Sequence, residues 1–138
     1  MLKKIILISI ITFTFCGYSQ TLKQVVKLED KYQKCLDSGN GMKNCSIKFY
    51  STSDSLLNVA YKNLKVKLNV TEQNNLKIEQ LKWLKMRDDY FNKAFKESKK
   101  DNNGDTESDD FQMFYFDKKS TFVINRVKKL ITKRNSIK

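Results

Sequence analysis

Histidine is absent from the 138 residues. That excludes Ser-His-Asp and Cys-His nucleophilic sites and, with so few thiols, the common zinc-ligand sets. Proline is also absent and glycine occurs only four times, a composition that points to long helices joined by few tight turns. The acids form no recognisable carboxylate pair for glycoside hydrolysis. The stretch beginning Asp101-Asn-Asn-Gly-Asp has a calcium-loop flavour, but an EF-hand needs glycine at its sixth position and glutamate at its twelfth. Here those positions hold Thr106 and Gln112, so a solvated acidic loop is expected instead. No cofactor, metal site or enzymatic activity is expected.

The one long uncharged run lies at the start. Met1-Leu2-Lys3-Lys4 is basic, Ile5 to Phe15 carries no charge, and Gly17 and Ser19 place small residues at the −3 and −1 positions before Gln20. Residues 1–19 therefore read as a secretory signal peptide, the apolar run being too short to span a membrane. Lipidation at Cys16 is the weaker reading, because Phe13-Thr14-Phe15 lacks the small residue expected ahead of a lipidated cysteine. The expected mature chain, 20–138, is one helical domain without a transmembrane segment, periplasmic or secreted. Its length of about 119 residues allows a modest core.

Setting Lys3 and Lys4 aside lowers the formal net charge from +12 to +10. Such a balance favours anionic partners, an envelope polymer or lipid headgroups among them, although lysines spread this evenly also describe an ordinary solvated surface. The aromatics fall at core periodicity, which does not suggest stacking platforms for nucleic acid. Acids cluster only at Asp101, Asp105, Glu107, Asp109 and Asp110, a loop that could contact a basic partner.

Cys35 and Cys45 enclose a turn-rich segment, and an even count in an exported chain predicts a disulfide stapling two helix ends. Periodicity predicts four helices: about 22–37, 44–69, 72–98 and 109–133, the second and third forming a long antiparallel hairpin. On the second helix the stripe is Ile47, Tyr50, Asp54, Leu57, Tyr61, Leu64 and Leu68; on the third it is Leu76, Gln80, Trp83, Arg87, Tyr90 and Ala94. Thr71 reads as the N-cap of the third helix and Ser108 as that of the fourth. A fold-back at Val70-Thr71 sets Leu64 opposite Leu76, Tyr61 opposite Gln80, Leu57 opposite Trp83, and Asp54 opposite Arg87. The expectation is that Asp54 and Arg87 pair inside the seam, that Trp83 is core with its indole N–H bonded to Asp54 or Asn58, and that Asn58 bonds across the helices.

The ordered set Cys35, Met42, Cys45, Asp54, Leu57, Asn58, Tyr61, Leu64, Leu76, Gln80, Trp83, Arg87 and Asp88 resembles the LprI-type lysozyme-inhibitor domain family of exported bacterial proteins. The resemblance covers residues 35–88 and extends more faintly to Arg126 and Leu130. It implies a small, helical, disulfide-stapled domain, and an inhibitor of lysozyme or another envelope glycosidase as the function. Asp54, Leu57, Asn58, Tyr61, Gln80, Trp83, Arg87 and Asp88 are then read as scaffold, with partner contact assigned to the acidic loop and the Phe111–Phe116 aromatic patch. The family pattern also carries a cysteine three residues after the Arg-Asp pair and another in the last helix. Here the first position is Phe91, and no cysteine follows Asp110. Alternative readings are an envelope protein held to anionic polymer or lipid by its basic surface, or a structural envelope component.

Overall fold

The computed structural model describes residues 21–137, so the expected signal segment and Cys16 lie outside the described residues. Four helices follow in order: α1 Leu22–Asp37, α2 Met42–Lys65, α3 Val70–Asp101 and α4 Asp109–Asn135. The domain is all-α, as expected, and its ends are set by local chemistry. Thr21 and Gln24 form a capping box at the start of α1, and Ser108 Oγ accepts from Phe111 N at 3.2 Å to open α4. Between α1 and α2 the chain turns through Gly39 and Gly41, at φ 69° and 62°. An L side chain rarely adopts that left-handed conformation, so glycine is required there. The Cys35–Cys45 disulfide closes this turn.

The expected Thr71 cap is corrected. Asn69 caps α3: its side chain accepts from Glu72 N at 3.0 Å while Glu72 Oε2 accepts from Asn69 N at 2.9 Å. With that box in place α3 starts at Val70. α2 ends at Lys65 rather than 69, its last turn tightened by Lys67 N to Leu64 O and Leu68 N to Lys65 O.

α4 is the centre of the molecule. It runs parallel to α2, with Lys43 bound to Asp109 and Tyr50 against Phe116, and antiparallel to α3, with Phe95 against Phe111 and Arg126 bound to Gln80. α1 lies antiparallel to α2 and also reaches α4 through Tyr32–Asp117 and Glu29–Lys128. The core joins Val25, Phe49, Leu57, Leu64 and Leu76 to Val123, Ile124, Val127, Leu130 and Ile131 of α4. Truncating one such aliphatic side chain to alanine costs about 2–5 kcal/mol in comparable cores.

The seam expected between α2 and α3 is accordingly rotated. α2 buries Ser46, Phe49, Ser53, Leu57, Ala60 and Leu64 against its neighbours, while Tyr50, Asp54 and Tyr61 sit on the flank facing α3. Small residues let α2 and α4 approach closely. Their hydroxyls stay satisfied: Ser53 donates to Phe49 O at 2.8 Å, Ser120 to Phe116 O at 2.7 Å, and Ser46 shares a 2.9 Å bond with Tyr32.

Candidate functional site

Because α4 rather than α3 packs along α2, the hairpin stays open along part of its length. Asp54, Leu57, Asn58 and Tyr61 of α2 face Lys77, Gln80, Leu81, Leu84 and Arg87 of α3 across a cleft of about 320 Å³. The antiparallel register expected from the sequence holds, with Tyr50 and Phe91 meeting edge-on at a 6.0 Å centroid distance. The close contact does not.

Several expected partnerships are replaced. Arg87 does not reach Asp54; its Nε and Nη2 donate to Asp88 Oδ1 at 3.0 and 2.8 Å. The guanidinium lies over Trp83 and Phe91, 6.0 and 5.6 Å from their ring centres. The Asp54 carboxylate has no ion pair or side-chain hydrogen bond among the described residues. Asn58 bonds within its own helix, donating to Asp54 O at 3.2 Å. Trp83 stacks on Phe122 at 5.6 Å and forms no indole hydrogen bond among the described residues. The physical reason is common to all four: with α4 holding the helices apart, these side chains lack a partner across the seam and settle on their own helix or on α4.

The buried polar anchor is instead Arg126, whose side chain is 7% exposed. Its Nε and Nη2 donate to Gln80 Oε1 at 3.0 and 2.8 Å, and Nη1 donates to Glu79 Oε1 at 2.7 Å. Burial works to raise the Glu79 pKa, but the bonds from Lys133 and Arg126 outweigh it and hold the carboxyl below its usual value. Gln80 is thus tied to α4, at the floor of the cleft. Arg126 was weakly legible in the sequence, only as the faint end of the family pattern.

Near Asp54 and Arg87, Lys119 Nζ sits among four rings. Tyr50 is at 4.0 Å, Phe116 at 4.7 Å, Phe91 at 4.9 Å and Tyr115 at 5.0 Å. Burial lowers the lysine's pKa and Arg87 adds to the effect, with Asp54 opposing. This cage joins α2, α3 and α4 at a place where periodicity alone offered only core aromatics.

The acidic loop lies at the other end of α2. Asp105 Oδ1 accepts from Glu107 N at 2.9 Å and Ser108 N at 3.1 Å, Asp109 pairs with Lys43 at 2.6 Å, and Asp109 and Asp110 occupy the first turn of α4. Asp101 ends α3. Asp105 shapes the entry to α4, and Asp109 and Asp110 complement its N-terminus. Among the described residues no group of three His, Cys, Asp or Glu is placed to hold a metal ion. A smaller, mostly apolar hollow of about 220 Å³ lies beside the disulfide between α1 and α2, lined by Leu28, Tyr32, Phe49 and Thr52 among others. It offers little polar chemistry. No helix among the described residues is long and apolar enough to cross a membrane.

The family model described as "Lysozyme inhibitor LprI" matches residues 30–130. No curated protein and no solved structure matches the chain.

Proposed function

Starting from the chain's membership of the LprI lysozyme-inhibitor family, we propose that it is an exported, non-enzymatic binding protein that inhibits a lysozyme-class cell-wall glycosidase. The observation that carries this reading is the match over residues 30–130, which takes in α2, α3 and most of α4. The open cleft lined by Asp54, Leu57, Asn58, Tyr61, Gln80 and Arg87 supports a binding role, since the Asp54 carboxylate on its wall has no ion pair or side-chain hydrogen bond among the described residues. Export to the periplasm or medium, with cleavage before Gln20, belongs to the same proposal.

The test is inhibition. Purified protein should slow cell-wall lysis by at least one lysozyme in a panel of animal-type and other lysozymes and co-elute with it. Absence of both effects at micromolar concentration would sink the proposal.

One further observation favours a second reading. Lys62, Lys65, Lys67, Lys77, Lys82 and Lys85 make no ion pair among the described residues, leaving cationic charge along the α2–α3 end. An envelope protein adhering to anionic polymer or lipid would use that charge, and its binding would fall steeply with added salt.

A further inference from the structure

The turn between α2 and α3 has features the fold does not require. Val66 and Val70 are 78% and 76% exposed, well above the other exposed large apolar side chains. A solvated turn has no need of two bare valines. Nor is the turn loose. Lys67 N and Leu68 N close it on Leu64 O and Lys65 O, the Asn69–Glu72 box caps it, and Gln73 Nε2 donates to Leu68 O at 2.9 Å. Leu68 packs inward against the core. Inward anchoring of Leu68 holds the two valines outward on a rigid, convex knob.

The charge near the knob is mostly positive. Lys62, Lys65 and Lys67 are exposed and unpaired among the described residues, and Glu72, the acid of the turn, is engaged in the cap. A bare apolar centre within a charged ring is the anatomy of a contact surface.

Resting on the family reading above, we propose that Val66 and Val70, flanked by Lys65 and Lys67, form the surface that enters the substrate cleft of the inhibited glycosidase. The fit is argued from shape and charge. Glycoside hydrolysis uses two carboxyl groups flanking the scissile bond, so the floor of such a cleft is acidic even on an enzyme that is basic overall. Two basic proteins repel at long range, and an acidic cleft is the place on the enzyme where this chain's lysines meet opposite charge. A convex surface fits a concave one, and a turn already stapled into shape loses little freedom on binding. The acidic loop is a separable rival, because α2, at 24 residues, places the two ends about 35 Å apart.

The experiment compares four proteins against every lysozyme that the unaltered protein inhibits. They are the unaltered chain, V66D/V70D, K65E/K67E, and D101K/D110K in the acidic loop, each first checked by circular dichroism and thermal melting. Inhibition by both knob variants should weaken by at least about tenfold, the loop variant should inhibit normally, and the unaltered protein should compete with soluble chitooligosaccharide. Undiminished inhibition by the folded knob variants overturns the knob while leaving the family reading intact. So does inhibition that does not compete with substrate, or a loss confined to the loop variant. If the unaltered protein inhibits none of the lysozymes, the family reading fails and the knob fails with it.

Discussion

Arg126 and Asp54 show how partnering, rather than charge, decides what a polar residue contributes to the fold. Arg126 is buried and bonds Gln80 and Glu79 across two helices, with Trp83 5.8 Å away under its guanidinium. Arg126→Ala would strip Gln80 Oε1 of its two donors and open space beside the indole. The expected loss is about 2–4 kcal/mol, read by denaturant unfolding. Asp54 has no such bonds. Asp54→Ala is therefore expected to change stability by less than about 0.5 kcal/mol. Arg87→Ala should lose only its ring contacts and an exposed bond to Asp88, and the Asp54/Arg87 double-mutant cycle should show coupling below about 0.5 kcal/mol. Coupling of several times that size would mean the two residues pair directly in solution.

At the scale of elements, α1 is the most lightly attached. Val25 is its one fully buried side chain, and it is held besides by the disulfide, Glu29–Lys128 and Tyr32. Replacing both cysteines by serine should cost about 2–3 kcal/mol, the chain-entropy value for a loop of this length. Limited trypsin digestion should then cut first within α1 at Lys27 or Lys31 while α2–α4 stays protected; simultaneous loss of all four helices would show that α1 is no separate unit. Tyr32 gives the same joint a pH dependence. Burial first, then the Asp117 bond, raises its phenol to about 12, with Ser46 opposing. Because the folded value exceeds the unfolded one of about 10, the contribution is complete below the unfolded value. It is lost as pH rises through about 12. Tyr32→Phe should flatten that alkaline decline relative to the unaltered protein in urea titrations. An identical decline in both would assign it to other groups.

Across the whole molecule, what could be read from the sequence was local. Helices and the disulfide were legible because capping residues, periodic apolar positions and a glycine-bearing turn act over a few neighbours. The Asn69-x-x-Glu72 box is a local pattern of the same kind, two residues ahead of the expected Thr71 cap. The buried face of α2 was harder, since Ser46 and Ser53 look solvent-facing until their hydroxyls are seen bonded to Tyr32 and to Phe49 O. Position of α4 was not legible at all. Periodicity tells which face of a helix is apolar, not which helix covers it, so it predicts a hairpin closed on itself and carries no sign of the cleft. The register across that cleft keeps Tyr50 opposite Phe91 as expected, although the chain folds back at residues 66–69 rather than at Val70-Thr71. The seat of α4 has a consequence in time. The helix against which all three others pack is the last in chain order, so α1 to α3 emerge from synthesis with their apolar faces uncovered. Closure waits for α4, and until it arrives the core positions of α2 and α3 lack the helix that covers them.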